Sequence, residues 1–83
     1  MYVVVFDNEK ETCRSFNVDN VKKIEIKRRT NDCYEICMDG DVVISYSSFK
    51  IAKDILGNIF RQMRINTNYV LPTEEEYKNR KYH

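Results

Sequence analysis

The amino-acid sequence predicts an α+β fold in which an antiparallel sheet of about five strands packs on one long amphipathic helix, followed by a short C-terminal extension. Strand-like segments fill the chain up to residue 46, and a single stretch of helical periodicity follows them. Two glycines and one proline in 83 residues favour regular elements joined by short loops. A chain of this length holds one core, so we expect a sheet-plus-helix domain over residues 1–71 and a tail over residues 72–83.

The first strand is predicted at residues 2–6, where every side chain is β-branched or aromatic. Both of its faces are apolar, which is typical of a central strand or of a strand whose second face meets a partner. We expect Val3 and Val5 to face away from the helix. The other three side chains then face it: Tyr2, Val4 and Phe6. A second strand follows at residues 12–16.

The third strand is predicted at residues 21–28, where apolar and charged residues alternate as in a half-buried strand. Pairing Ile26 with Ile36 of the next strand requires an odd loop of about five residues. This register places Lys27 opposite Glu35 on the outer face of the sheet.

Two further strands flank the turn residues Asp39-Gly40-Asp41. Their apolar side chains recur at every second position: Tyr34, Ile36 and Met38, then Val42, Ile44 and Tyr46. A two-residue loop would place these sets on opposite faces, whereas a three-residue loop pairs Met38 with Val42 and places all six on one face. We therefore expect the three-residue loop, with Gly40 or Asp41 at positive φ.

The helix is predicted over roughly Phe49 to Arg64, with Ser47 or Ser48 as its N-cap. Its apolar residues form one wide stripe at helical spacing: Ile51, Ala52, Ile55, Leu56, Ile59, Phe60 and Met63. Gly57 costs about 1 kcal/mol at this position relative to alanine. A close approach of the helix to the sheet would explain it, as would a kink.

The C-terminal residues begin with a short extended segment at Tyr69–Leu71 and a proline. Residues 73–76 fit a capping box, which predicts a short helix from Glu74 to about Lys81. The apolar face of this helix is weak. The alternatives are a disordered tail and a tail that becomes ordered only against a partner.

The charges are unevenly distributed, although the net charge is only +1. Residues 21–30 hold five cations and one carboxylate, and residues 31–46 hold four carboxylates and no cation. The simplest interpretation is that the two blocks pair across the sheet. The alternative is a nucleic-acid-binding strand and hairpin tip, because cations at a tip can reach phosphates. The candidate residues are Lys22, Lys23, Lys27, Arg28 and Arg29.

No arrangement of residues predicts catalysis. Cys33 and Cys37 lie four positions apart, which on a strand separates them by about 13 Å, too far for a disulfide and a poor metal pair. The single histidine, His83, ends the sequence. We therefore expect no enzyme activity, no cofactor and no metal site, and free thiols in a reducing cytoplasm. No segment approaches the length of a membrane span.

The far face of the predicted sheet is a second candidate site. One helix cannot cover both faces of a five-stranded sheet, so an apolar patch would stay exposed. The candidate interface residues are Val3, Val5, Cys37 and Val43. Such a patch predicts a protein partner or a homodimer. The alternative is that Tyr69–Leu71 folds across it. Cys37 would be reactive there if it were exposed.

Residues 34–77 resemble small proteins of Gram-positive bacteria and their phages. Those proteins run as an antiparallel meander with a glycine hairpin, a Tyr-Ser-Ser entry to one helix, and a tail with a proline before acidic residues. The matching residues here are Gly40, Tyr46-Ser47-Ser48, Ala52, Leu56, Ile59 and Leu71-Pro72. The resemblance implies a genomic setting, and it supplies no functional residues because those proteins carry no established activity.

These observations together predict a small, non-enzymatic cytoplasmic protein that acts by protein–protein contact. Its size, the absence of catalytic residues and the resemblance point to a phage or mobile-element accessory protein that inhibits a host protein. Nucleic-acid binding through residues 22–29 is the alternative.

Overall fold

The computed structural model describes residues 1–81, which form two three-stranded sheets and two helices. The strands are β1 (Tyr2–Asp7), β2 (Thr12–Asn17), β3 (Ile24–Thr30), β4 (Cys33–Met38), β5 (Asp41–Tyr46) and β6 (Tyr69–Val70). The helices are α1 (Phe49–Arg64) and α2 (Glu74–Lys81). The first sheet has the order β2-β1-β6 and the second sheet the order β3-β4-β5. The α+β class is confirmed, whereas the prediction of a single five-stranded sheet is wrong.

The two sheets separate at the connection between β2 and β3. A 3-10 turn at Val18–Asn20 follows β2, and the Asn17 side chain accepts the N–H of Asp19 at 3.1 Å to cap it. The Asp39 carboxylate then accepts the N–H groups of Lys22 and Lys23 at 3.0 and 2.9 Å. These bonds hold the residues before β3 against the β4–β5 turn, and β2 is an edge strand of the first sheet.

The second neighbour of β1 comes from the other end of the chain. β6 pairs with β1 in parallel, with Val3 opposite Tyr69 and Val4 opposite Val70. The Leu71 N–H donates to the Val4 carbonyl at 2.9 Å and extends this contact. The extended segment predicted at the end of the chain is therefore a strand beside β1, and it does not fold across a sheet face.

The faces of β1 are opposite to those predicted. Val3 is fully buried and Val5 is partly buried against the core, whereas Tyr2 and Phe6 are about half exposed. Alternation along a strand identifies two faces, but both faces of β1 are apolar, so the alternation does not reveal which one packs inward.

The β4–β5 hairpin turns on two residues, and the predicted three-residue loop is wrong. Asp39 and Gly40 have φ values of 51° and 87°. Two successive positive φ values are typical of the type I′ turn that twisted hairpins favour. Met38 pairs directly with Asp41 across this turn.

A bulge next to the turn restores the register that the apolar pattern requires. Cys37 pairs with Val42, but the preceding residue Ile36 pairs with Ile44, so Val43 is the extra residue in β5. Beyond the bulge, Tyr34 lies opposite Tyr46 and Ile36 opposite Ile44 on one face, as predicted. Val42 does not join them, because it lies opposite Cys37 and is exposed.

The β3–β4 pairing follows the predicted register. Ile26 lies opposite Ile36, and Lys27 lies opposite Glu35. A second register shift near the end of β3 extends the pairing, so the turn holds two residues rather than about five.

α1 has the predicted bounds and covers the inner face of the second sheet. The Ser48 Oγ caps it by accepting the N–H of Ile51 at 3.1 Å. At its other end Asn66 has a φ of 53°, and its N–H donates to the Met63 carbonyl at 3.2 Å. The buried side chains of α1 are Ile51, Ala52, Ile55 and Ile59.

α2 begins at the predicted capping box. The Thr73 N–H donates to Glu76 Oε1 and the Glu76 N–H donates to Thr73 Oγ1, both at 3.1 Å. The helix then runs from Glu74 to Lys81, as predicted. The last two residues of the predicted tail lie outside the described residues.

The residues before and within the first turn of α2 are anchored to the end of β5. The buried Tyr46 hydroxyl donates to the Pro72 carbonyl at 2.6 Å, and burial raises the pKa of Tyr46. The Glu74 carboxylate accepts both the backbone N–H and the hydroxyl of Ser47, at 2.6 and 2.7 Å. The N–H bond is the main reason that the pKa of Glu74 is lowered.

One flank of α1 is covered by the same C-terminal segment. The Asn58 side chain donates to the Tyr69 hydroxyl at 3.3 Å. The Tyr77 hydroxyl donates to the Asp54 carboxylate, which raises the pKa of Tyr77. No described residue of this segment binds the other flank of α1 in this way.

We expect the two glycines to respond oppositely to substitution by alanine. Gly40→Ala places a side chain at a φ of 87°, so it should lower the free energy of unfolding by about 1–2 kcal/mol. Gly57→Ala should raise it by up to about 1 kcal/mol, because the site is helical and the new Cβ meets only the Arg61 guanidinium, at 3.9 Å. Urea unfolding measures both changes. A Gly57→Ala variant that is less stable than the wild-type chain would contradict the open space around Gly57.

The Glu74 anchor should make stability depend on pH. Because the folded pKa of Glu74 is lowered, its stabilising effect is complete above the unfolded pKa of about 4.3 and is lost as the pH falls through the lower folded value. Glu74→Gln should cost about 1 kcal/mol at pH 7 and much less at about pH 2.5. Glu75→Gln is the matched control, since it removes the same first-turn charge. Equal costs for the two variants at pH 7, measured by urea unfolding, would overturn the prediction.

Candidate functional site

Three of the predicted phosphate-binding cations form ion pairs on the outer face of the second sheet. Glu25 lies between Lys23 and Lys27, with carboxylate–ammonium distances of 3.3 and 3.5 Å. Burial alone would raise the pKa of Glu25, but the two ammonium groups together lower it. Arg29 pairs with Glu35 at 3.4 Å.

The other two cations lie apart from this network. Lys22 is exposed before the start of β3. Arg28 lies on the opposite face of β3, across from Tyr34, and its guanidinium donates to the Asn31 side chain. The five candidates therefore do not form one continuous basic surface.

The predicted interface residues do not form an exposed patch in this fold. Val3 and Val43 are buried in the core, and Cys37 is 1% exposed on the outer face, opposite Glu25. Val5 is partly buried and lines an open groove of about 630 Å³. The predicted patch does not form because the Val3 face of the first sheet packs inward and the bulge in β5 places Val43 in the core.

This groove separates the β1–β2 hairpin from the free edge of β5. The Arg14 guanidinium donates to the Val42 carbonyl at 3.2 Å and lies over the Phe16 ring, 4.9 Å from its centroid. A backbone acceptor at the edge of β5 is thus occupied by the chain's own side chain.

Within residues 1–81, two apolar surfaces that were not predicted remain uncovered. The first, which we call the sheet face, is the outer face of the first sheet. It consists of Tyr2, Val4 and Phe6 of β1 and of Val70, which lies opposite Val4. Tyr2, Phe6 and Val70 are each about half exposed. The opposite face of the same sheet packs into the core, so only one side of these three strands is covered.

The second uncovered surface, which we call the helix flank, runs along α1. It consists of the exposed Phe49, Phe60 and Met63 and of Leu56, which is partly buried against the core. These residues share one side of the helix through spacings of seven, four and three residues. Phe49 is 51% exposed, Phe60 45% and Met63 38%. The Phe49 ring also contacts Tyr34, with centroids 5.8 Å apart.

Each surface had a signal in the sequence. The apolar stripe of α1 holds seven residues, more than one side of a helix on a three-stranded sheet buries, so part of it had to be exposed. The two apolar faces of residues 2–6 likewise implied that one face would be left over. The sequence did not show which face of β1, or which part of the α1 stripe, would be exposed.

Comparisons with known protein families, with curated proteins and with solved structures found no match. Neither helix within residues 1–81 is long and apolar enough to cross a membrane. In the same part of the chain, no group of three or more His, Cys, Asp or Glu side chains could hold a metal ion.

The three free thiols should differ in reactivity. Burial raises the pKa of the Cys37 thiol, so both access and thiolate formation are reduced there. Cys13 is exposed on β2. We expect maleimide to label Cys13 at least ~10-fold faster than Cys37 in the folded protein, and to label both equally in urea. Equal rates without urea, measured by peptide mass spectrometry, would show that Cys37 is accessible.

Proposed function

We propose that this chain is a small non-enzymatic protein that acts by binding another protein through the sheet face. The observation that carries the proposal is a three-stranded sheet with one apolar face packed in the core and the other left to solvent. Contiguous exposed apolar surface is typical of interaction sites. Tyrosine and phenylalanine are also enriched in protein interfaces.

The arrangement of the polar groups supports a binding role rather than a catalytic one. Glu25 and Glu35 pair with cations, Glu74 binds Ser47, and Cys37 is buried. These groups stabilise the fold, and Glu74, which also lines the groove, is held there by Ser47. We propose further that the target is a host protein and that binding inhibits it, as expected for an accessory protein of a phage or mobile element acting in the cytoplasm.

Nucleic-acid binding through residues 22–29 is the alternative function. A phosphate-binding strand needs cations that are free to neutralise phosphates. Lys23, Lys27 and Arg29 are already paired with carboxylates, which weighs against this alternative.

The test compares two matched variants of the full chain. Phe6→Ser removes a half-exposed ring from the sheet face, and Val42→Ser removes a similarly exposed apolar side chain at the edge of β5. A protein captured from the native host with the wild-type chain should lose at least ~10-fold in affinity for Phe6→Ser, measured by titration calorimetry. Its affinity for Val42→Ser should change less than ~3-fold.

Two further measurements complete this test. Sedimentation velocity at micromolar concentration determines whether the chain forms a homodimer. A dimer that Phe6→Ser dissociates would replace the foreign partner by a second copy. A partner that binds Phe6→Ser as tightly as the wild-type chain, or whose capture is abolished by nuclease, would overturn the proposal.

A further inference from the structure

Among the described residues, the cations of α1 have no carboxylate partners, unlike most of those at residues 22–29. The helix carries four of them: Lys50, Lys53, Arg61 and Arg64. Its one carboxylate, Asp54, accepts the Tyr77 hydroxyl. Within residues 1–81 none of the four α1 cations forms an ion pair, whereas three of the five cations at residues 22–29 do. Within the described residues, α1 therefore carries more cations without a carboxylate partner than residues 22–29 do.

Two of these cations border the helix flank. Lys53 follows Phe49 by four residues, and Arg64 follows Phe60 by four, so each cation lies on the same side of α1 as a half-exposed ring. Aromatic and cationic side chains thus alternate along a surface about 22 Å long. Both cations are exposed.

The helix flank lies on the side of α1 that the C-terminal segment leaves open. Asp54 and Asn58, on the opposite flank, bind tyrosines of that segment. The segment is in turn anchored to Tyr46 at the end of β5. The open flank is thus on the side of α1 opposite this segment, where the Phe49 ring contacts Tyr34 of β4.

We infer that the helix flank and its bordering cations dock a protein segment that carries apolar side chains flanked by carboxylates. The apolar row would bury a matching row on the partner, as an amphipathic helix does in a groove. Lys53 and Arg64 would meet its carboxylates, which favours this partner over one with basic flanks. The inference rests on the proposed protein-binding function and names the partner's chemistry, but it concerns a different surface from the sheet face.

Two other classes of partner fit the surface less well. Single-stranded nucleic acid stacks on aromatic rings, but Leu56 and Met63 make up half of the flank and offer no stacking plane. A membrane-surface helix inserts its whole apolar face into the lipid. The apolar face of α1 is packed in the core, and only one flank remains.

The test uses two synthetic 18-residue peptides as probes. Both carry leucine at helical spacing; one has glutamate on the flanks of the leucine row, and the other has lysine at the same positions. In NMR titrations of the full chain at low salt, the glutamate peptide should perturb α1 resonances at residues 49–64. It should bind at least ~10-fold more tightly than the lysine peptide, and more weakly as salt is added.

Charge variants identify the surface. Lys53→Glu with Arg64→Glu should weaken binding of the glutamate peptide at least ~10-fold. Lys10→Glu with Lys22→Glu makes the same change in net charge at exposed sites away from α1, and should weaken it less than ~3-fold. Phe60→Ser should also weaken it, while circular dichroism shows an unchanged fold.

Several results would overturn the inference. Equal binding of the two peptides, absent binding of the glutamate peptide, or equal effects of the two double variants would remove the charge argument. Tighter binding of oligo(dT) or of phosphatidylglycerol vesicles through Lys53 and Arg64 would assign the surface to nucleic acid or lipid. None of these results would alter the Phe6→Ser test, so the two proposals can fail separately.

Discussion

The whole second sheet depends on one geometric requirement, namely that the apolar side chains of three strands face α1 together. A two-residue turn alone would place those of β4 and β5 on opposite faces. The bulge at Val43 removes this conflict, and Ile36 and Ile44 then lie opposite each other. Asp39 and Gly40 can keep the turn conformation that a twisted hairpin favours. Turn geometry and core packing are therefore satisfied by different residues of the same hairpin.

The elements that were predicted correctly have signals confined to short stretches of sequence. The β3–β4 register, the bounds of α1 and the capping box at Thr73 all follow from patterns that span one hairpin or one helix. The first sheet does not, because β1 pairs with β6 through residues 66 positions apart, such as Val3 and Tyr69. No local periodicity reports a contact of that range. Its orientation was missed for a second reason, since a strand that is apolar on both faces does not show which face is buried.

The candidate site was predicted less well than the fold because charge was counted along the chain. The formation of ion pairs depends instead on whether the spacing of the charges places them on the same face of their strand or helix. On a strand, Lys23, Glu25 and Lys27 share a face because alternate residues do, and they form a network. On α1, Asp54 binds Tyr77 of the C-terminal segment, and within residues 1–81 the helix cations have no carboxylate partner. The more basic stretch of sequence is consequently the better neutralised one.

The two uncovered surfaces differ in what they permit between copies of this chain. A symmetric dimer brings the same patch of both copies together. If two helix flanks met in this way, Lys53 and Arg64 of one copy would lie close to the same cations of the other copy, and like charges repel. The sheet face carries no such charge, because the β2 residues on its side are Cys13, Ser15 and Asn17. With a net charge of only +1, little overall repulsion keeps copies apart. Self-association would therefore use the sheet face, and the helix flank would be left for a partner of opposite charge.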